Sequence, residues 1–586
     1  MAQDFTLKIH QTHHTIADFE EIKDYCLEVL ENPTKGLHLF PELYLTGYPL
    51  QDLLLQKSFI ERYQDMLELI SEHSLGLELD ESKALLMGGL KYTIGEEGLP
   101  FKIENVIFEL VPGKPLKDIY TKRLLPNYDI FDEKKYFTPG DKCGLWQFED
   151  KNIALMICED MWPSNAHPID PAYDMQLTLQ KKKLDLDLII NLSASPYHLG
   201  KGEKRIKRGC EISGSLGAPF VYINRVGGED EILFDGRSFL VNEDELIWEG
   251  KQFELDVSEC PLPHKKPPKY KLDDTAVLEN TWESLFSPQL MKAGPSHPIL
   301  QPLDDTDCAK TLNALKFGIQ EYARKSDVNK FLVALSGGID SALVLTILKL
   351  CLQEGQELEA LFMPGYYTVP ASYDLSEKLC KNLNVPLKVL PIKFFHASIR
   401  NAFGDCLSAP LEGLADENIQ SRLRGALLYA RSNQTGSLVF NTSNKSELAV
   451  GYSTQYGDSV GALSVLGDLF KSEVFNLAGY INKKYNNLIP KEILLRPPSA
   501  ELRDDQFDEQ TLPAYEVLDG ILEGLLSYRL SPKDLINLGF PREEVEKTFN
   551  LYQRVEFKRF QFCPIIKIKA KSFGFGYRIP ICKKRF

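Results

Sequence analysis

The run Ser336-Gly337-Gly338-Ile339-Asp340-Ser341 lies between an apolar stretch, Phe331-Leu332-Val333-Ala334-Leu335, and a helix-forming one from Ala342 to Leu350. That order is strand, tight turn, helix, the signature of an α/β unit with a parallel sheet. Two glycines let the backbone approach a ligand closely, and the helix start offers unpaired N–H groups to an anion. Ser336 and Ser341 add hydroxyl donors. Asp340 is out of place beside phosphate unless a cation lies between them, so the loop implies Mg²⁺. No Gly-Lys-Ser/Thr closes it, so it is not a Walker A loop. The plainer reading is a βα turn with glycine at a crowded corner.

The 586 residues exceed what one core supports, so two domains are expected. A hydrophobic share of 43% with 26% charged residues is globular. The formal charge of −16 argues against a general nucleic-acid surface. No run of about 18 apolar residues occurs, and the start Met1-Ala2-Gln3-Asp4-Phe5 lacks a basic leader, so a cytoplasmic protein without a membrane partner is expected. Eleven cysteines without a CxxC pair fit reduced thiols better than disulfides or zinc.

The first half alternates strand-like runs (Gly36–Phe40, Ala84–Gly89, Ile153–Ile157, Leu188–Asn191, Phe220–Ile223) with helical stretches such as Ala17–Glu31 and Gln56–Glu72. Ser238–Trp248 suggests antiparallel pairing. The proline-rich, basic stretch Pro261–Lys269 suits neither helix nor central strand. Expected domains are therefore 1–260 and 306–586, with a linker over 261–305, and the second opens with a helix over Ala309–Lys325. From Phe557 to Phe586 there are several Lys and Arg and no acid, which reads as either a solvated tail or an arm over phosphates.

Three short motifs in the first half carry reactive groups. They are Phe40-Pro41-Glu42-Leu43-Tyr44, Lys122-Arg123-Leu124-Leu125-Pro126-Asn127-Tyr128 followed by Phe131-Asp132-Glu133, and Ile157-Cys158-Glu159-Asp160. A thiol nucleophile needs a base, and an attacked amide needs a cation or donors for its oxyanion. Glu42, Lys122 and Cys158 supply those parts. Singly, each has a bland reading: a cap, a surface charge and a core cysteine.

In this chain order the three resemble the nitrilase (carbon–nitrogen hydrolase) superfamily over roughly residues 5 to 260. That resemblance implies an αββα sandwich, with Glu42 as general base, Lys122 as oxyanion stabiliser and Cys158 as nucleophile. The 336–341 loop resembles that of ATP pyrophosphatases, which implies an adenine-nucleotide α-hydrolase-like parallel-sheet domain. A nitrilase-like half followed by a pyrophosphate-loop half is similar, over nearly the whole chain, to the glutamine-dependent NAD(+) synthetase family. Asn191-Leu192-Ser193-Ala194-Ser195-Pro196-Tyr197, Asn441-Thr442-Ser443-Asn444-Lys445-Ser446-Glu447, Gly451–Asp458 and Arg496–Leu502 extend the likeness.

The resemblance implies glutamine contacts at Tyr128, Ser195 and Lys201. ATP would be held by Ser336, Gly337, Gly338, Ile339, Asp340, Ser341 and Thr442, with Mg²⁺ on Asp340 and Glu447. Deamido-NAD would meet Asn418, Glu447, Tyr452, Ser453, Thr454, Gln455 and Lys558. The partners implied are these three small molecules, no nucleic acid, and further copies of the chain as a homo-oligomer. The sequence departs from the family pattern at Ser443, where glycine is usual, at Arg225, where glutamine is common, in Pro364–Tyr367, and in Gln561–Ile565, which lacks a proline–glycine turn. Asn444 and Glu447 also fit a helix-capping arrangement, and Arg422 and Arg424 fit a solvated helix face. Other readings are another pyrophosphatase amidotransferase, disfavoured by the Glu–Lys–Cys half, a tRNA-modifying enzyme, disfavoured by the charge, and a decayed regulatory chain, disfavoured by the intact reactive residues.

Overall fold

The computed structural model describes residues 5–95, 98–163, 167–272, 300–498, 501–503, 506 and 510–584. The chain divides into two compact units, Met1–Glu229 with Leu233–Leu285, and Asp230–Ile232 with Phe286–Phe586. Positions 273–299 of the expected linker, and Ser499 and Ala500 of the Arg496–Leu502 motif, lie outside the described residues.

In the first unit the strands are β1 (Thr6–Gln11), β2 (Gly36–Leu39), β3 (Lys83–Ile94), β4 (Pro100–Leu110), β5 (Lys117–Thr121), β6 (Leu145–Phe148), β7 (Lys151–Ile157), β8 (Leu188–Ser193), β9 (Phe220–Asn224), β10 (Val226–Glu229), β11 (Ile232–Asp235), β12 (Phe239–Asn242), β13 (Glu245–Glu249) and β14 (Asp256–Pro261). They form two six-stranded sheets, ordered β14-β1-β2-β3-β4-β5 and β13-β12-β9-β8-β7-β6, with β10 and β11 as a separate pair. The helices are α1 (Phe19–Glu31), α2 (Lys57–Leu75), α3 (Glu133–Tyr136), α4 (Pro171–Lys182) and α5 (Lys201–Leu216).

The period of two along each strand makes the layers. Leu155 and Ile157 of β7 face a core shared with Ile9, Leu39 and Leu86 of the other sheet. Their neighbours Ala154 and Met156 face the opposite way, onto Met175 of α4 and Ile212 of α5. Each leucine, isoleucine or methionine among them, fully buried, contributes about 1.5–3 kcal/mol. This is the expected αββα arrangement, and Ser238–Trp248 pairs antiparallel as expected. α1 starts two residues later than its pattern suggests, because Ala17 takes φ +62° and the Asp18 side chain caps the helix through Glu21 N–H at 3.3 Å.

In the second unit α6 (Asp305–Lys325) precedes β15 (Lys330–Leu335), α7 (Ile339–Cys351), β16 (Glu357–Phe362), α8 (Pro370–Leu383), β17 (Leu387–Val389), α9 (Lys393–Leu407), α10 (Gly413–Thr435), β18 (Leu438–Asn441), α11 (Lys445–Val450), β19 (Leu463–Ser464), α12 (Lys471–Lys484), α13 (Tyr515–Leu526) and α14 (Glu556–Arg559). α6 begins before Ala309 because Asp304 caps it, accepting Asp307 N–H at 2.8 Å. The sheet is β17-β16-β15-β18-β19, and every pair is parallel. The order reverses between β15 and β18, the crevice where such sheets bind ligands. The segment after 557 is not a solvated tail: Ile566, Ile568 and Phe573 are buried. Among the described residues no helix is long and apolar enough to cross a membrane.

Gly88 of β3 is where scaffold and chemistry touch. A Cβ there would meet Leu43 N at 2.4 Å, Glu42 Cα at 2.6 Å and Pro41 O at 2.6 Å, all backbone atoms. Gly88→Ala is therefore expected to cost about 1–3 kcal/mol of stability and to displace Glu42. Urea unfolding and far-UV dichroism of the variant check the first effect, and turnover at the Glu42 site checks the second.

Candidate active sites

In the first unit the three reactive residues leave the C-terminal ends of separate strands: Glu42 after β2, Lys122 after β5 and Cys158 after β7. Parallel β1, β2 and β3 in one sheet and β7, β8 and β9 in the other aim these ends together. Lys122 Nζ donates to Glu42 Oε1 at 2.7 Å and to Glu133 Oε1 at 2.9 Å. All three are buried, Lys122 being 1% exposed. Asn105 Nδ2 donates to Glu42 Oε1 at 2.8 Å, and Ala194 N–H donates to Oε2 at 2.8 Å. Both carboxylate oxygens of Glu42 are thus held.

Cys158 opens a short 3₁₀ turn with φ +42°, a left-handed backbone that turns its side chain out of the strand line. Its N–H donates to Asn191 Oδ1 at 2.8 Å. Two residues on, Asp160 accepts from Ile157 N–H at 2.9 Å, Leu124 N–H at 2.8 Å and Tyr120 OH at 2.8 Å. That carboxylate ties the cysteine turn to the segment bearing Lys122.

Burial pushes the Cys158 thiol well above its ordinary value, and the Glu42 charge adds to this while Lys122 opposes it. Such a thiol becomes a nucleophile only when a base takes its proton. Burial works against the Lys122 charge, but Glu133 and Glu42 outweigh it and hold the ammonium well above its ordinary range. Burial pushes Glu133 up to about 7 although Lys122 pulls the other way. Glu133 had no role in the sequence reading. Its only signal there was a second acid eleven residues after Lys122, inside a motif already singled out.

Tyr128 donates to Glu159 Oε2 at 3.0 Å. Ser195 is held by its N–H on Asn224 Oδ1 at 2.8 Å. Lys201 is the first residue of α5. Burial, then the Arg205 charge, pushes its ammonium down to about 8, with Cys158 and Glu159 opposing. Tyr128 and Lys201 thus border the Cys158–Glu159 turn. Arg225, one of the departures, donates to Tyr48 O at 2.7 Å and Glu229 Oε1 at 2.7 Å.

In the second unit the loop after β15 turns through Gly337 at φ +81°, where a Cβ would meet Ser372 O at 2.7 Å. Only glycine suits that corner. Ser336 Oγ accepts Gly338 N–H at 3.2 Å and lies 3.1 Å from Ser341 Oγ. The loop lines a cavity of ≈ 260 Å³ together with Met363, Arg424, Thr442, Glu447 and Lys471. Asp340 accepts from Asn444 Nδ2 at 3.0 Å and from Lys471 Nζ at 2.5 Å. Lys471 also lies 3.5 Å from Glu447 Oε1. A cation thus already stands between the two carboxylates expected to hold Mg²⁺, and an oxygen-only donor pair suits that ion. Lys471 escaped the sequence reading; it is 131 residues from Asp340 and in no motif.

Asn444 and Glu447 do form the capping box, alongside the contact to Asp340. Arg422 is exposed and donates through Nε to Gln455 O at 3.2 Å, as a solvated helix face allows, whereas Arg424 is part-buried, donates to Met363 O at 3.0 Å and lines the cavity. Thr454 Oγ1 donates to Asn418 Oδ1 at 2.8 Å. Lys558 donates to Ser453 O at 2.6 Å and Gly451 O at 2.8 Å. It thereby props the 451–455 turn, and with Gln455 it lines a second cavity of ≈ 370 Å³. Tyr452 borders the first cavity.

A family model described as NAD synthase matches residues 311–561. The chain is 35% identical over 583 residues to a glutamine-dependent NAD(+) synthetase of Synechocystis sp., covering 99% of each. It is 33% identical to one of Aquifex aeolicus, again over 99% of each. Among solved structures, the glutamine-dependent NAD(+) synthetase of Acinetobacter baumannii in complex with ADP superposes with a TM-score of 0.68 at 29% identity, covering 99% of this chain and 98% of that one. The Cytophaga hutchinsonii structure shares the fold, with a TM-score of 0.74 at 18% identity.

Removing Lys122 leaves two buried carboxylates facing each other. Lys122→Met is expected to destabilise the protein by about 3–5 kcal/mol. Glu133 already titrates above the ordinary glutamate range, at about 7, and losing Lys122 raises it further. A carboxylate whose folded value lies above its unfolded one costs more stability as pH rises through that interval. The deficit against the parent should therefore be larger near about pH 8 than near about pH 6, as urea unfolding at both values checks.

Proposed function

Because the chain belongs to the glutamine-dependent NAD(+) synthetase family, we propose that its two sites divide that reaction between them. The enzyme is a carbon–nitrogen ligase: it amidates deamido-NAD to NAD with ammonia drawn from glutamine, and it converts ATP to AMP and pyrophosphate. The observation that carries the division is that each unit holds one intact reactive cluster, Glu42–Lys122–Cys158 in the first and Asp340–Lys471–Glu447 behind the Gly337 turn in the second.

In the first site Glu42 takes the Cys158 proton as sulfur attacks the glutamine side-chain amide. Lys122 stabilises the oxyanion of the tetrahedral intermediate. The proton passes to the departing ammonia, leaving a glutamyl thioester, and Glu42 then activates the water that releases glutamate and restores the thiol. Glu133 keeps Lys122 charged and in place throughout. Tyr128, Ser195 and Lys201 hold the glutamine.

In the second site the nicotinate carboxylate of deamido-NAD attacks the α-phosphorus of ATP and pyrophosphate leaves. Ammonia then attacks the acyl adenylate and AMP leaves. The N–H groups at the start of α7, with Ser336, Ser341, Thr442 and Lys471, hold the phosphates. Asp340 and Glu447 would hold Mg²⁺, which supplies positive charge against the polyphosphate when bound. Asn418, Tyr452–Gln455 and Lys558 place the dinucleotide.

Cys158→Ala is expected to abolish NAD formation from glutamine while leaving formation from added ammonium. Steady-state assays with each nitrogen source check this; equal loss with both would sink the division of labour. Asp340→Asn is expected to abolish synthesis from either source, because its neutral amide brings no negative charge to the cation or to Lys471. Glutamate release by the same variant should persist. Synthesis at the parental rate would remove Asp340 from the phosphate site.

A further inference from the structure

α13 is an apolar helix in the core of the second unit, with Leu518, Ile521, Leu522 and Leu525 buried. Of its three acids, Glu516, Asp519 and Glu523, only Asp519 is buried, at 1% exposed. Its carboxylate reaches the first turns of two other helices. Ser446 Oγ, in the first turn of α11, donates to Asp519 Oδ1 at 2.5 Å. Ser472, in the first turn of α12, donates its N–H to Oδ2 at 2.9 Å and its hydroxyl to the same oxygen at 2.8 Å. The two turns are also joined directly, because Ser446 Oγ accepts the N–H of Lys471 at 2.9 Å. α12 has no capping side chain of its own at Phe470. Asp519 and Ser446 therefore supply the acceptors its first N–H groups lack.

Each serine in this network is the chain neighbour of a residue facing the loop: Ser446 precedes Glu447, and Ser472 follows Lys471. We infer that Asp519 is a positioning residue for ATP, fixing Glu447 and Lys471 against Asp340 by pinning the starts of α11 and α12 to one buried carboxylate. The inference rests on the reading of the 336–341 loop as the ATP site. Asp519 touches no substrate; it acts through the two helix starts. Outer-shell partners of this kind typically affect affinity or activity by about 10- to 100-fold.

The test uses the full-length Asp519→Asn and Ser446→Ala variants. The amide keeps the shape but exchanges one acceptor oxygen for a donor, so one arm of the pin is lost. Ser446→Ala removes the bridge from Lys471 to Asp519 and leaves α13 untouched. ATP affinity is measured by calorimetric titration without deamido-NAD, with and without Mg²⁺, so that no turnover occurs. NAD synthesis is then measured with ammonium, so that glutaminase changes do not enter. Both variants are expected to weaken ATP binding by about tenfold or more, with a rise in KM for ATP and an unchanged KM for deamido-NAD. Glutamine hydrolysis should stay at the parental rate. If Asp519→Asn does not fold, Ser446→Ala alone decides. ATP affinity within about twofold of the parent, accompanied only by a lower Tm, would reduce Asp519 to a support of the fold and overturn the inference. A parental enzyme that binds no ATP would instead overturn the reading of the loop.

Discussion

A buried charge without a counter-charge costs several kcal/mol, and both units meet that constraint with a buried lysine between two acids. Lys122 lies between Glu42 and Glu133, and Lys471 lies between Asp340 and Glu447. In the first unit the ammonium makes the buried acids tolerable, in the second the part-buried acids make the buried Lys471 tolerable, and in both the pairing sets their separation and orientation before any substrate arrives. In the first unit that pre-organisation leaves Glu42 anchored on both oxygens beside a protonated thiol. In the second it gathers positive charge where a polyphosphate would otherwise repel the loop's own aspartate.

The scaffolds deliver these groups by one route, the C-terminal ends of parallel strands. β2 and β7 end at Glu42 and Cys158, and β15 and β18 end at the Ser336–Ser341 loop and Thr442. Two left-handed residues sit at these ends: Cys158 at φ +42° and Gly337 at φ +81°. Strain at such corners persists only where the surroundings over-determine it. Here Asn191 holds the Cys158 N–H, and Ser372 closes on Gly337. The supporting polar groups, Asp160 in one unit and Asp519 in the other, are buried acids saturated by short hydrogen bonds.

Much of this was legible in the residues themselves. The 331–350 stretch announces strand, turn and helix because local periodicity and glycine placement are read along the chain. The Glu42 and Cys158 motifs are legible for a similar reason: each couples a reactive side chain to the end of an apolar run, whereas Lys122 follows the polar stretch Lys117–Thr121 and was read from its motif. Helix starts were less so, since Asp18 and Asp304 act as caps through single side-chain bonds that periodicity does not register. The basic final segment carried two readings. Burial of Ile566, Ile568 and Phe573 shows that it packs into the second unit, and Lys558 spends its charge first on the carbonyls of Gly451 and Ser453.

The sequence alone determined the order of the two α/β units and singled out the loop, the thiol and the carboxylate proposed as its base, because each stands in a short motif of residues adjacent in the chain. Only the tertiary structure decided which charges share a lysine. Glu133 reaches Lys122 because β5 and the α3 loop converge behind Glu42, and Lys471 reaches Asp340 across 131 residues because α12 starts beside the β15–β18 crevice. Coulombic pairing acts through a few ångströms of space and is indifferent to distance along the chain. The partners of a buried charge are therefore fixed by packing, after every local preference has been spent.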